Sequence, residues 1–237
     1  MTRVLVHGAG RMAGRVLANI PGFSDFELVG VASRSQPSDV IAADWFESLQ
    51  DIQQPVDLLI DFTLPGGTRN AAQWCASHGT AILSGTTGLA EADFIALKDA
   101  ALRVPVLWAP NLSQGVALIS ALVRRTAEIL GEQAKIGITD VHHVHKLDAP
   151  SGTALALSSS VKEGLAGNAG EPEISSIREG EVIGEHTVSF VLPDEEIEIT
   201  HRANSRDVFA KGALKAGEWL VKQEAGYYST RDWLGLD

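Results

Sequence analysis

The stretch RVLVHGAGRMAGRVLANI, residues 3–20, decides the fold of this chain. Its first part, RVLVHG, has the apolar pattern of a buried strand, and RMAGRVLANI has the pattern of a helix. Between them Gly8, Gly10 and Gly14 have the spacing G-x-G-x-x-G. A glycine turn that leads from a strand into a helix N-terminus cradles a pyrophosphate group. The stretch therefore predicts a dinucleotide site, with a plain tight turn as the alternative.

The alternation of strand and helix continues through the first half of the chain. Further apolar strands are predicted at 26–33, 56–63, 80–88 and 104–111, and helices at 66–78 and 90–101. Continuous apolar strands between helices indicate a parallel sheet with both faces covered. We therefore predict a Rossmann-type, doubly wound parallel α/β domain over residues 1–112.

The pattern changes after Ser113. The sequence predicts a helix at 115–130, a strand at 134–143, a helix after Pro150, and a hairpin of strands at 185–192 and 195–203. These elements indicate a smaller α+β domain with an antiparallel sheet over residues 113–206. The segment 208–229 again has a helical pattern. Residues 207–237 are expected to return to the first domain.

Composition excludes several classes of partner and compartment. The net charge of −11 over 237 residues leaves no broad basic face for a nucleic acid. No apolar run approaches the roughly 20 residues that span a bilayer. The single cysteine, Cys75, cannot form an internal disulfide and is expected to be a buried thiol. The chain begins directly with a strand pattern and no signal peptide, so we expect a cytoplasmic protein without membrane or nucleic-acid partners.

The tip of the second strand predicts which dinucleotide binds. An acidic residue there would select NADH, but the sequence is GVASRSQ, with Ser33 and Arg34 at the tip. A guanidinium group pairs well with a 2′-phosphate, which favours NADPH, with NADH as a possible second cofactor. Alternatively, Arg34 is a solvated loop residue. Two further loops, 85–88 and 109–113, follow later strands, where they could hold a nicotinamide or be ordinary turns.

The block VHHVHKLDAPSGTALA, residues 141–156, crowds titratable groups against a predicted helix N-terminus. Asp148 or Ser151 could cap this helix, and Pro150 suits a first-turn position. The N–H groups of Ser151, Gly152 and Thr153 would then point outward and favour a carboxylate. The block therefore predicts a site for an anionic small molecule.

Three interpretations of the histidines remain open at this point. A metal site is weakly supported, because neighbouring residues on a strand point to opposite faces and no clear carboxylate pair completes the set. A structural interpretation places some of them in the core or on the surface, and it suits His145 best. The functional interpretation makes Lys146 a proton donor supported by the histidines. His142 and Lys146 would lie about 13 Å apart on a continuous strand, so the chain must turn between them.

The block resembles the 4-hydroxy-tetrahydrodipicolinate reductase (dihydrodipicolinate reductase) family of bacterial diaminopimelate and lysine biosynthesis. The resemblance extends over nearly the whole chain, through GAGRMAGR, DFTLPGGT, GTTG, APNLSQGV, HHVHKLDAPSGTALA, GEVIGEHTVSF, EIEITHRANSRDVFAKGAL and RDWLGL. It implies reduction of a cyclic imine dicarboxylate with NADPH or NADH. It also implies a homotetramer that assembles through the second domain, which would bind the substrate.

The resemblance also implies roles for individual residues. Lys146 is expected to donate the proton and His142 to be its acid/base partner. Substrate binding is expected from His143, Ser151, Gly152 and Thr153. Cofactor binding is expected from Gly8, Ala9, Gly10, Arg11, Met12, Ala13, Ser33, Arg34, Gly85, Thr86, Thr87, Ala109, Pro110, Asn111 and Leu112. No metal is implied.

The chain departs from the family pattern at a few positions. Ser33 stands where members that use both nucleotides often carry an acid, Met12 where an arginine is frequent, and Asp140 where glutamate is usual. Loops near 35–45 and 165–175 are expected to be short. Two rivals remain: another two-domain NADPH dehydrogenase, which would not need the 142–153 block, and a non-catalytic NADPH sensor, which would lack the lysine and the Ser-Gly-Thr turn.

Overall fold

The computed structural model describes residues 1–36, 43–166 and 171–236. The chain divides into two compact units, the first made of Met1–Leu112 and Asp207–Gly235 and the second of Ser113–Arg206. Residues 37–42 and 167–170, which fall in the loops expected to be short, lie outside the described residues. Within the described ranges, no helix has the length and apolar character needed to cross a bilayer.

The first unit is built on a parallel sheet. Its strands are β1 (Thr2–His7), β2 (Phe26–Ala32), β3 (Asp44–Phe46), β4 (Leu58–Asp61), β5 (Ala81–Ser84), β6 (Pro105–Trp108) and β11 (Gly226–Tyr228). Their order is β11-β6-β5-β4-β1-β2-β3, and every described pair is parallel. The order reverses direction at β1, so the carboxyl ends of β1 and β4 lie side by side, at the position where such sheets bind ligands.

Helices cover both faces of this sheet. They are α1 (Arg11–Asn19), α2 (Gly67–His78), α3 (Glu91–Ala101), α6 (Asp207–Leu220) and a short α7 (Thr230–Leu234). Successive strand residues point to opposite faces, so Val4 and Val6 pack with α1 and α6, whereas Leu5 packs with α2 and α3. This double burial explains why the strands are apolar throughout, and Cys75 of α2 is fully buried, as expected.

The second unit contains a mixed sheet with helices on one face. Its elements are α4 (Gln114–Leu130), β7 (Lys135–His142), α5 (Gly152–Gly164), β8 (Glu173–Arg178), β9 (Glu185–Val191) and β10 (Glu196–Arg202), with strand order β10-β9-β7-β8. Val123, Leu157, Val188 and Phe190 belong to its fully buried core. The predicted hairpin is confirmed as β9 and β10.

Three strands and the C-terminal end of helix α6 differ from the sequence prediction. The single helix expected at 208–229 is wrong: α6 ends at Leu220, and Gly226–Tyr228 pairs in parallel with β6. The sequence analysis also missed β3 and β8. Because β8 runs parallel to β7, the second sheet is mixed rather than purely antiparallel.

Candidate functional site

The glycines of the loop after β1 have different structural roles. Gly8 has φ +114°, and a Cβ there would lie 2.5 Å from the Phe62 carbonyl oxygen, so the fold itself requires glycine. Gly10 is different: it is exposed, it precedes α1 without a side-chain cap, and a Cβ there would meet no protein atom within 4 Å. The first amides of α1 are therefore accessible to an anion such as a pyrophosphate.

A buried carboxylate joins the strand ends next to this loop. Asp61, at the carboxyl end of β4, is 0% exposed and lies 3.1 Å from His7 Nδ1. It accepts hydrogen bonds of 2.6–3.0 Å from four hydroxyl groups, those of Thr63, Thr68, Ser84 and Thr86. Burial opposes its charge, but the contacts with His7 and the hydroxyls outweigh burial and lower the pKa of the Asp61 carboxyl.

This carboxylate fixes the Gly85–Thr87 loop. Thr86 is buried, its hydroxyl donates to Asp61, and its carbonyl accepts a 3.0 Å hydrogen bond from Trp108 Nε1. A Cβ at Gly85 would collide with the Phe62 ring. The loop therefore has one geometry, set by groups from β4, β5 and β6. Sequence reasoning missed Asp61, although a buried strand that ends in a carboxylate and is followed by two threonines, Thr63 and Thr68, was a usable signal.

The other expected cofactor residues fall into two groups. Ala13, Ala109 and Leu112 are buried, so their backbone atoms are the groups that can face a ligand, whereas Met12 is half-buried and packs against the core. Exposed or half-buried positions are Ala9, Arg11, Ser33, Arg34, Thr87, Pro110 and Asn111. The Ser33 hydroxyl donates to the Ser35 carbonyl at 2.8 Å, which leaves Arg34 as the exposed charged group at the tip of β2.

The second unit places the titratable block at the end of β7. This strand ends at His142, and the Lys146 amide then donates to the His143 carbonyl at 3.1 Å, which closes a turn. The required turn between His142 and Lys146 is thus present. The Lys146 ammonium lies 2.9 Å from Asp148 Oδ1 and acts electrostatically on His142. The hydrogen bond from Lys146 lowers the pKa of the Asp148 carboxyl.

The helix that follows begins at Gly152, with Ser151 as its N-cap. The Ser151 hydroxyl accepts from the Ala154 amide at 3.2 Å, so Ser151 rather than Asp148 caps α5. Pro150 therefore precedes the cap, and its expected first-turn position is wrong. The expectation that the Ser151 N–H points outward is also wrong. Ser151 is buried, and its amide donates a hydrogen bond to Asp140 Oδ2 at 3.0 Å. Gly152 is exposed, with open space where a Cβ would lie.

Asp140 gathers further groups that are distant in sequence. His142 Nδ1 lies 2.9 Å and His186 Nε2 3.3 Å from its Oδ1, and Arg178 Nη2 lies 3.1 Å from its Oδ2. Burial opposes the Asp140 charge, but hydrogen bonds from Ser151 and Arg178 outweigh burial and lower the pKa of its carboxyl. Burial also lowers the pKa of His142, and it lowers that of His186 to about 4, so both rings are neutral near pH 7.

These three residues could in principle hold a metal, because Asp140, His142 and His186 offer ligand atoms within 4.8 Å of one another. The sequence analysis did not foresee this group. The surroundings do not favour a dication, however. Arg178 pairs with the same carboxylate, and the Lys146 charge acts on both imidazoles. Asp140 Oδ2 accepts hydrogen bonds from Ser151 and Arg178, whereas Oδ1 and His142 Nδ1 are in close contact without hydrogen-bond geometry.

A second basic group lies beside the block. Arg206 is exposed and its Nη2 lies 3.0 Å from His143 Nε2. The sequence analysis did not include Arg206 among the expected site residues. His145, by contrast, is 76% exposed in its side chain and lies 3.9 Å from a glutamate, Glu181, as suits a surface residue.

Comparison with known proteins identifies the family. Residues 2–112 match the family model "Dihydrodipicolinate reductase, N-terminus", and residues 115–234 match "Dihydrodipicolinate reductase, C-terminus". The chain belongs to the dihydrodipicolinate reductase family. Curated relatives named 4-hydroxy-tetrahydrodipicolinate reductase are 40% identical in Alkalilimnicola ehrlichii, over 99% of each chain, and 42% identical in Xanthomonas euvesicatoria, over 97% of this chain and 96% of the relative.

Solved structures agree in fold. A dihydrodipicolinate reductase from Paenisporosarcina, solved with dipicolinate bound, has a TM-score of 0.78 at 21% identity over 97% of each chain. A myo-inositol dehydrogenase from Corynebacterium glutamicum has a TM-score of 0.64 at 15% identity, over 95% of this chain and 90% of that one. The expected family and Rossmann-type fold are thus confirmed. The chain is a 4-hydroxy-tetrahydrodipicolinate reductase, a pyridine-nucleotide oxidoreductase of lysine biosynthesis.

Proposed function

We propose that this enzyme binds and protonates its cyclic imine dicarboxylate at residues 142–153, with Lys146 as the proton donor. The observation that carries the proposal is the turn after β7, closed by the hydrogen bond from the Lys146 amide to the His143 carbonyl, which brings Lys146 close enough to His142 for its charge to act on the imidazole. One segment thereby offers a proton donor, a neutral imidazole and a helix N-terminus. A bound pyridine nucleotide supplies the hydride, and the chain supplies the proton at the neighbouring carbon.

We assign one substrate carboxylate to the N-terminus of α5. Gly152 is exposed and has space for close approach of a ligand to its amide, and Thr153 follows it in the first turn. The positive end of the helix dipole favours an anion there. Ser151 supports this site from inside the protein as the N-cap.

A second carboxylate suits the pair Arg206 and His143. Arg206 is exposed, and its guanidinium can form two parallel hydrogen bonds to a carboxylate while His143 Nε2 contacts the same group. His142, which is neutral near pH 7, acts beside Lys146 as its acid/base partner. These assignments give each charge of the dicarboxylate a partner within the second unit.

The first unit fits a pyridine nucleotide. The accessible amides of α1 suit the pyrophosphate, and the fixed Gly85–Thr87 loop suits the nicotinamide end. We propose that NADPH is preferred and that NADH is used less well, because Arg34 is exposed at the β2 tip and the Ser33 hydroxyl donates to the Ser35 carbonyl.

We further propose that four copies assemble through the second sheet. Opposite the helices, Thr139, Thr187 and Thr200 occupy one row across three strands, and Ser189 lies on the same face. These small, uncharged side chains are half-buried in the single chain. Small side chains allow a second sheet to approach this face closely, and Glu198, opposite Ser189 on the same face, lies at the edge strand β10.

A cytoplasmic location agrees with the proposed activity. Lysine biosynthesis draws on the reduced nucleotide pool, and the lone Cys75 is buried, where burial raises the pKa of its thiol far above the usual value. An inert thiol of this kind is compatible with a reducing compartment.

The direct test is NADPH oxidation, followed by absorbance, with substrate generated freshly from pyruvate and aspartate semialdehyde by the preceding synthase. Wild-type enzyme should oxidise NADPH rapidly, and Lys146→Ala should lose most turnover while it still binds NADPH. The matched control is Lys98→Ala on α3, which should retain full activity. Wild-type turnover in Lys146→Ala would remove this residue from the mechanism, and binding of NADPH without oxidation by wild-type protein would favour a sensor.

A further inference from the structure

Asp140 is a buried carboxylate that contacts both His142 and the N-terminus of α5. It is 0% exposed on β7, between β8 and β9. Its Oδ1 lies 2.9 Å from His142 Nδ1, and its Oδ2 accepts the amide N–H of Ser151, the cap of α5. The same side chain thus contacts the proposed acid/base residue and the helix end proposed to bind a carboxylate.

We propose that Asp140 is a positioning residue that holds His142 and the N-terminus of α5 in one fixed geometry. The inference rests on the roles proposed above for His142 and for the first turn of α5. Asp140 touches no substrate in this scheme and acts only through its neighbours.

The two oxygens of Asp140 have separate tasks. Oδ2 accepts hydrogen bonds from the Ser151 amide at 3.0 Å and from Arg178 Nη2 at 3.1 Å. These bonds connect Asp140 to the start of α5 and to β8. Oδ1 faces the two imidazoles, of His142 and His186. An acceptor that is anchored by one oxygen presents the other at a defined position, which makes it an orienting group for a ring.

The ring of His142 is confined on its other side as well. A Cβ at Gly184 would lie 3.1 Å from His142 Nε2, so glycine leaves just enough space for the ring at the start of β9. Nδ1 lies 2.9 Å from Asp140 Oδ1 without hydrogen-bond geometry, and Nε2 is the ring nitrogen turned away from the carboxylate. The close contact with Asp140 on one side and the tight space at Gly184 on the other therefore limit the position of the ring.

His186 connects the same network to the helix cap. Its Nε2 lies 3.1 Å from the Ser151 hydroxyl and 3.3 Å from Asp140 Oδ1. A shift of Asp140 would therefore disturb the helix end through two contacts, the Ser151 amide and the His186 ring. Loss of this carboxylate should impair both turnover and dicarboxylate binding, whereas loss of a single neighbour should impair mainly one.

The charge of Asp140 also gives a prediction for pH dependence. Among the described residues, the charged and titratable groups that face His142 are Asp140 on β7, Arg178 on β8, His186 on β9 and Lys146 in the turn. Burial, Lys146 and Arg178 oppose its protonation, and Asp140 favours it. Removal of the Asp140 charge should therefore lower the pKa of His142 further. The acidic limb of kcat/KM should move to lower pH in Asp140→Asn.

The test compares Asp140→Asn, Asp140→Glu and His142→Gln, with Asp57→Asn as the control. Asp57 is also paired with an arginine, Arg3, but lies at the amino end of β4. We measure kcat and kcat/KM against pH, binding of pyridine-2,6-dicarboxylate by calorimetry, and thermal unfolding. Asp140→Asn should lower kcat about 10- to 100-fold and weaken dicarboxylate binding about tenfold. Asp140→Glu should recover part of both, and Asp57→Asn should change neither.

A double variant separates positioning from general damage. If Asp140 acts on turnover through His142, Asp140→Asn/His142→Gln should have about the kcat of His142→Gln alone. Fully additive losses, or wild-type kcat and binding in folded Asp140→Asn, would overturn the inference. Should Asp140→Asn not fold, Asp140→Ser, which also removes the carboxylate, carries the test, and wild-type kcat and dicarboxylate binding in that variant would again refute the inference. Wild-type kcat in His142→Gln would instead overturn the proposed role of His142.

Discussion

Gly152 offers a sharp test of where the substrate binds, because the protein alone does not require glycine there. It is the first residue of α5, it is exposed, and a Cβ at this position would meet no protein atom within 4 Å. Its φ is not in the left-handed region. Gly152→Ala should therefore fold normally, and its unfolding temperature should be unchanged or slightly higher, since alanine is the better helix former by up to about 1 kcal/mol.

The effect on ligand binding should be large by comparison. In our account a substrate carboxylate approaches the Gly152 amide, and an added methyl group would stand between them. Loss of one hydrogen bond to a charged group costs about 1.5–3 kcal/mol. At 1.4 kcal/mol for each factor of ten, dicarboxylate affinity should fall about 10- to 150-fold. The value of kcat at saturation should change far less, because Lys146 and His142 are untouched.

Calorimetry with pyridine-2,6-dicarboxylate, steady-state KM and thermal unfolding measure these effects. Gly22→Ala is the matched control, because Gly22 is also exposed, with open space and no left-handed φ, but lies in the first unit. It should bind as wild type does. A folded Gly152→Ala variant with wild-type affinity would refute the assignment of the carboxylate to this helix end.

Three further perturbations test other parts of the account. Arg34→Ala should raise KM for NADPH at least tenfold without a change for NADH, and an equal change for both would exclude a phosphate contact. Asp61→Asn should lower the free energy of unfolding in urea by about 3–5 kcal/mol, because the amide group of asparagine replaces one acceptor oxygen and the buried charge is lost. The exposed Asp25→Asn should change it by no more than about 0.5 kcal/mol. Similar values for the two variants would contradict the Asp61 network. Ser189→Arg should convert tetramers into smaller species in sedimentation while the fold is retained, and an intact tetramer would place the interface elsewhere.

Much of the fold could be predicted because its signals are local. The β1 strand, the glycine loop and α1 are consecutive in sequence, and the β9–β10 hairpin has period-two alternation about a turn. The strand β8 was missed because Ser175 and Ser176 are exposed and give it no apolar pattern. The strand β11 has three residues, and only its pairing with distant β6 makes it a strand.

The site was predictable in part for the same reason. Lys146, His142 and Gly152 lie within one block, whose turn and helix start are local features. The network around Asp140 was not predictable, because His186 and Arg178 reach it through strand pairing: Asp140 is opposite His186 on β9, and His142 is opposite Arg178 on β8. The i, i+2 spacing of Asp140 and His142 was the available clue, since it places both on one face of the strand.

A crystal structure of the enzyme with pyridine-2,6-dicarboxylate would test the central claim most directly. The account predicts one carboxylate within hydrogen-bond distance of the Gly152 and Thr153 amides, the other at Arg206 and His143, and the Lys146 ammonium beside the ring. A ligand bound with neither carboxylate at these groups, for example in the polar groove of the first unit between Arg3 and Gly79, would contradict it.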